Sequence, residues 1–117
     1  MENGIKDKSY RLAIRIVKLY QYLSGEKQEY VISKQVLRSG TSVGANVREA
    51  LQGQSRADFI SKMSIALKEA SETEYWLELL RDTGYLSENE YFHIHSDCAE
   101  VAKMLTSIVK SSRKTSP

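Results

Sequence analysis

The sequence predicts an all-α protein, an up-down-up-down antiparallel four-helix bundle. Apolar residues recur at intervals of three and four along most of the chain, the spacing of a helix that packs one face against its neighbours. The two-residue alternation of a half-buried strand is absent from the sequence. Glycines at positions 25, 53 and 84 divide the chain of 117 residues into four segments of similar length. The connections are short, so consecutive helices should be antiparallel neighbours.

The predicted helices form a single domain over residues 1–111, and each break contains a glycine, which readily adopts the left-handed conformation of a helix end. Ser33, Ser55 and Ser87 are the predicted N-caps, and the S-x-x-E pattern from Ser87 to Glu90 is a complete capping box. Residues 112–117 are expected to be a disordered polar tail. The predicted helices lie near residues 5–24, 33–52, 56–82 and 88–111.

The composition is typical of a chain in the cytoplasm. Cys98 is the single cysteine, which excludes an internal disulfide and fits a reducing compartment. The first residues lack the charged-then-apolar order of a signal peptide. No apolar run approaches the ~20 residues of a membrane helix. We therefore expect a cytoplasmic protein that has no membrane partner.

The stretch "RSGTSVGANVREA", residues 38–50, contains glycines and hydroxyl side chains like a phosphate-binding loop. A Walker loop would need a Lys directly after its second glycine, and a dinucleotide loop would need a preceding strand; neither pattern is present. The apolar spacing instead places the stretch inside the second helix. Gly40 and Gly44 each cost a helix about 0.8–1 kcal/mol relative to Ala. We therefore predict that a neighbouring helix approaches the backbone closely at these two residues.

A polar stripe follows the same helix at positions i, i+3, i+7 and i+10. Its members are Ser39, Ser42, Asn46 and Glu49. The favoured interpretation is a buried polar layer in which Asn46 and Glu49 fix the register of the second helix against the third. The alternative is an outward stripe that binds a ligand.

Catalytic and metal-binding patterns are weak. A di-metal carboxylate bundle needs a Glu-x-x-His motif on two helices. Glu90 to His93 is one such motif, but His95 has no Glu three residues before it. Cys98 falls in the apolar phase of the fourth helix, as expected for a packed thiol. We predict no catalytic residue, no metal and no cofactor, and hence no enzyme.

A basic stripe on the first helix indicates nucleic-acid binding. Lys8, Arg11, Arg15 and Lys18 again follow the i, i+3, i+7, i+10 spacing, and nearby tyrosines can stack on unpaired bases. The net charge of +2 is divided unevenly, because residues 49–100 carry −7 between segments of +5 and +4. The alternative for the stripe is solubility, together with salt bridges to the acidic third helix.

The first helix also carries more apolar surface than one bundle core can cover. Tyr10, Ala13, Ile14, Val17 and Tyr20 lie outside its core-facing seam. Exposed apolar patches of this kind mark interfaces. We therefore expect homo-oligomers, and an assembly protein is the second functional hypothesis beside nucleic-acid binding.

The segment "RSGTSVGANVREA" and the following "SRADFISKMSIALKEASETEYWL" resemble a bacterial family of four-helix bundles encoded by intervening sequences of 23S rRNA genes. The resemblance implies a homo-oligomer, specifically a pentamer. A related branch contains the accessory protein of diversity-generating retroelements, which implies RNA or DNA and a reverse transcriptase as partners. The matching residues are Arg38, Ser39, Ser42, Val43, Asn46, Val47, Glu49, Ser55, Asp58, Phe59, Ala66, Glu69 and Glu74.

Overall fold

Four α-helices account for most of residues 2–114, the part of the chain that this computed structural model describes. Within that part there is no β-strand, and no helix is long and apolar enough to cross a membrane. Each helix packs against two others, with α1 and α4 making the least extensive contact. The bundle measures 50 × 21 × 19 Å, and the predicted fold class is confirmed. The helices are α1 (Glu2–Gly25), α2 (Ile32–Leu51), α3 (Arg56–Asp82) and α4 (Glu88–Lys114).

Helix α4 continues past its predicted end at residue 111. Residues 112–114 form its last turn, instead of the start of a polar tail. Arg113 and Lys114 lie in this turn, where positive charge interacts favourably with the helix dipole. Residues 115–117, the rest of the predicted tail, lie outside the described residues.

The capping box predicted before α4 is present in both directions. The N–H of Glu90 donates to Ser87 Oγ at 3.1 Å, and the N–H of Ser87 donates to Glu90 Oε1 at 2.8 Å. At the start of α3, Ser55 Oγ accepts the N–H of Asp58 at 3.0 Å. These two serines therefore cap their helices as the sequence predicts.

The start of α2 differs from the prediction, because Ser33 is not its cap. The helix begins at Ile32, and Ser33 is buried in its first turn. The Glu29 carboxylate accepts the N–H groups of Val31, Ile32 and Ser33 at 3.2, 2.9 and 2.6 Å. Glu29 reaches these groups after a turn in which Gln28 has φ 54°. The Glu29 carboxylate, which precedes the helix, thus caps the N–H groups that the Ser33 hydroxyl was predicted to cap.

Gly40 and Gly44 lie in close contact with α1, which confirms the predicted approach of a neighbouring helix at the two glycines. A Cβ at Gly40 would lie 2.7 Å from Ile16 Cγ1. One at Gly44 would lie 3.3 Å from the carbonyl oxygen of Ser9. The glycines let α1 pack directly on the backbone of α2, which fixes the outer face of α1 relative to the rest of the bundle.

Candidate functional site

The basic stripe of α1 lies beside α4, and two of its residues pair with carboxylates there. Lys8 Nζ lies 2.9 Å from Glu100 Oε2, and Arg15 Nη1 lies 2.6 Å from Asp97 Oδ2. The salt bridges expected with the third helix therefore form with the fourth. All four side chains remain about half exposed, and exposed pairs of this kind contribute only ~0–1 kcal/mol to stability.

The other two stripe residues, Arg11 and Lys18, take no part in these pairs. Both are exposed, and neither forms an ion pair with a described residue. The structure thus keeps the four basic side chains on one surface of α1. It divides them into a pair bound to α4 and an open pair, Arg11 and Lys18, that has no ion pair among the described residues.

Charge is also separated along the bundle. The antiparallel arrangement brings the start of α1 to the end of α4, where Gly4 approaches Met104. Residues 102–114 of α4 carry four Lys or Arg and no Asp or Glu. Residues 69–100, which form the opposite half of the α3–α4 pair, carry nine Asp or Glu and one Arg. The basic end of α4 and the basic N-terminal half of α1 therefore share one end of the molecule.

The polar stripe of α2 does not form a single buried layer. Ser39 is fully buried and accepts a hydrogen bond from Thr73 Oγ1 at 2.9 Å. Asn46 is half-buried, and its amide donates within α2, to the carbonyl oxygen of Ser42 at 2.9 Å. Glu49 is exposed and pairs with Lys62 at 2.9 Å. The expectation that Asn46 and Glu49 are both buried is therefore wrong, because the stripe crosses from the core to the rim of the α2–α3 interface.

A second polar cluster on α2 and α3 was not predicted as a unit. Arg38 pairs with Glu69 at 3.3 Å and also with Glu72. The indole N–H of Trp76 donates to Glu72 Oε2 at 3.0 Å. These contacts tie the first half of α2 to the middle of α3. The sequence indicates part of this cluster, since Glu69, Glu72 and Trp76 share one side of α3 at helical spacing.

The apolar face of α1 is exposed as predicted. Tyr10, Ile14 and Val17 are 53%, 41% and 37% exposed, and they lie along one side of the helix next to the basic stripe. The guanidinium of Arg48 lies 4.9 Å from the centre of the Tyr10 ring. Ala13 and Tyr20, the remaining residues of this face, are half-buried.

The two side chains with catalytic potential are Cys98, which is buried in the core, and Glu90, which caps a helix. Burial raises the pKa of the Cys98 thiol from 9.0 to about 12, and the carboxylates of Glu74 and Asp97 add to the shift. A thiol of this kind is protonated at neutral pH and is a poor nucleophile. Glu90 serves the capping box. No cluster of potential metal ligands occurs within residues 2–114.

Together, the fold and its surfaces define a small antiparallel four-helix bundle with a charged and partly apolar outer helix. Residues 1–107 match the family described as 23S rRNA-intervening sequence protein, and the chain belongs to that family. It is similar to a solved structure from Bacteroides thetaiotaomicron, described as a protein of unknown function from the S23 ribosomal protein family. The two share 60% identity and a TM-score of 0.92, over 93% of this chain and 97% of the other. No curated protein matches the sequence significantly.

Proposed function

We propose that this protein is a non-enzymatic homo-oligomer that binds RNA or DNA through the basic stripe of α1. The observation that carries the proposal is the open pair in that stripe, Arg11 and Lys18, which form no ion pair with a described residue. Cations without protein partners on an exposed helix are available to phosphate oxygens, and pairing them with phosphates releases counterions into solution.

The paired members of the stripe also support the proposal. The contacts of Lys8 with Glu100 and of Arg15 with Asp97 are half exposed, so they are weak and easily exchanged. Arg15 uses one of its nitrogens for Asp97, and a guanidinium has five N–H donors. A phosphate can therefore bind Arg15 without breaking that pair.

Assembly of several copies adds together the weak positive fields of the individual chains. One chain carries a net charge of +2, which attracts a polyanion only feebly. A ring of copies repeats the stripe at regular intervals, and linked weak sites bind with far greater affinity than one site alone. The exposed face of Tyr10, Ile14 and Val17 offers apolar surface for contact between copies. We propose the pentamer as the assembled form.

Fluorescence anisotropy tests the binding proposal. A labelled RNA and a labelled DNA are titrated with micromolar protein at about 50 mM salt and again at about 200 mM. We expect saturable binding at the lower salt concentration, a steep loss at the higher one and little discrimination among sequences, because the basic stripe resembles no base-reading motif. Absence of binding to both nucleic acids at the lower concentration would refute the proposal.

The second candidate function is an assembly protein that binds a protein partner, such as a reverse transcriptase, without touching nucleic acid. The pairing of Lys8 and Arg15 with carboxylates of α4 favours this alternative, since it assigns half of the stripe to the α1–α4 contact. The anisotropy titration separates the two candidates, because only the first predicts salt-dependent binding to a bare nucleic acid.

A further inference from the structure

A groove lies between the second half of α1 and the beginning of α4, at one end of the basic stripe. Its floor consists of Leu19, Leu86 and Ile94, which are almost fully buried. Tyr22 and His93 contribute aromatic rings to its sides. The groove has a volume of about 310 Å³, at the lower limit of the range typical of small-ligand sites. We call it the α1–α4 groove.

Positive charge borders this apolar surface. Arg15 and Lys18 line the groove from α1. Arg15 also donates from Nη1 to the carbonyl oxygen of His93 at 3.4 Å, so its guanidinium contacts the α4 side of the groove. Glu90 is the one carboxylate in the lining, and its Oε1 accepts the N–H of Ser87 at the start of α4. That bond engages one oxygen of the carboxylate at the start of α4.

We infer that the α1–α4 groove takes one unpaired nucleobase of a single-stranded nucleic acid, while adjacent phosphates bind Arg15 and Lys18. An apolar floor with aromatic sides covers the flat face of a base, and flanking cations bind the backbone on either side of it. A base within a duplex is stacked and paired, so it has no free face to insert. The inference rests on the proposed function and specifies the form of the ligand: a single strand rather than a duplex.

The test varies the ligand and the groove together. The labelled ligands are a single strand of roughly 12 nucleotides, its duplex, and the same strand with abasic residues, which keep the phosphates and lack the bases. The groove variant is Tyr22→Leu/His93→Ala. The matched control is Tyr30→Leu/Tyr75→Ala, which removes two exposed aromatic rings outside the groove.

We expect the wild-type protein to bind the single strand more tightly than either the duplex or the abasic strand. The groove variant should bind the single strand about tenfold more weakly, which is within the usual range for loss of base stacking. Its affinity for the abasic strand should be unchanged, since the phosphate contacts remain. The control variant should match the wild-type protein with all three ligands.

Equal wild-type affinity for the normal and abasic strands would overturn the groove assignment and leave the proposed function intact. The same holds if the groove variant and the control variant bind alike. Failure of the wild-type protein to bind any ligand would overturn both. Should the double variant unfold, as circular dichroism would show, His93→Ala alone provides the test, because this side chain is exposed. We then expect a smaller loss confined to the base-containing strand, and an unchanged affinity would overturn the inference.

Discussion

Thr73 on α3 donates a hydrogen bond from Oγ1 to Ser39 Oγ on α2 across 2.9 Å, at a point where neither side chain is exposed. We predict that Ser39→Ala and Thr73→Val each lower the free energy of unfolding by about 0.5–1.5 kcal/mol, because each removes a buried hydrogen bond. The double variant should lose less than the sum, since the second substitution removes a hydroxyl that has already lost this partner. Urea unfolding of the four proteins measures the coupling.

Asn46→Ala serves as the control for this cycle. The Asn46 amide donates to the carbonyl oxygen and hydroxyl of Ser42 on its own helix, and its side chain is half-buried. We expect a smaller loss of stability than from Ser39→Ala. Strictly additive losses at Ser39 and Thr73, or a larger loss at Asn46, would show that the register contact between α2 and α3 lies elsewhere.

Gly40→Ala should destabilise the protein. The new methyl group would lie 2.7 Å from Ile16 Cγ1, inside van der Waals contact, so the buried Ile16 side chain or α1 itself must shift. Overpacking of this kind costs ~1–3 kcal/mol, which exceeds the ~1 kcal/mol that Ala contributes as a better helix former. Gly25→Ala is the control, because nothing lies within 4 Å of its Cβ position. If thermal unfolding shows Gly40→Ala to be as stable as Gly25→Ala, the close approach of α1 and α2 is wrong.

Cys98 should make the free energy of unfolding depend on pH in the alkaline range. The folded thiol keeps its proton up to about pH 12, whereas an unfolded thiol loses its proton near 9.0. Rising pH in this window therefore favours the unfolded state, by up to about 1.4 kcal/mol per pH unit from this group. The stability of the wild-type protein relative to Cys98→Ala should fall as the pH rises from about 9 towards 12. Chemical unfolding at several pH values checks this, and a constant difference would mean that the thiol is not protected by burial.

Ile14 should contribute to assembly. We expect size exclusion with light scattering to give the wild-type protein a mass several times the 13.3 kDa of one chain. Ile14→Glu places a charge on the exposed apolar face of α1 and should reduce that mass. Tyr75→Glu makes the matched change on the exposed surface of α3 and should leave it unchanged. A wild-type monomer at micromolar concentration would contradict the assembly proposal.

Much of the fold could be predicted from local sequence. Apolar spacing and glycine-marked breaks predict four helices, and the N-cap at Ser55 and the capping box at Ser87 depend on residues only three positions apart. The cap of α2 was missed because Glu29 acts from the loop before the helix. The turn at Gln28 that brings Glu29 to the helix start is marked by neither a glycine nor a standard cap residue. Ser33, one residue inside the helix, matched the more familiar pattern of an N-cap serine and was predicted instead.

The surface of α1 was harder to predict because its partners are distant in the chain. Helical spacing places Lys8 and Arg15 on one stripe, but their pairing with Glu100 and Asp97 arises from the packing of the first helix against the last. Periodicity identifies which face is buried without specifying which helix lies beside each edge. For the same reason it could not tell that Asn46 lies at the rim of an interface whose centre holds Ser39.

The measurement that tests the central claim most directly is the salt dependence of nucleic-acid affinity for the variant Arg11→Gln/Lys18→Gln. The control variant Lys34→Gln/Lys68→Gln removes the same charge from exposed side chains on α2 and α3. On a single strand, the log–log slope should become shallower by about 0.7 for each phosphate that is no longer neutralised. We predict a flatter slope and weaker binding for the stripe variant, and a slope close to that of the wild-type protein for the control variant. Identical slopes for the two variants, or no binding by the wild-type protein, would contradict the role of α1 in nucleic-acid binding.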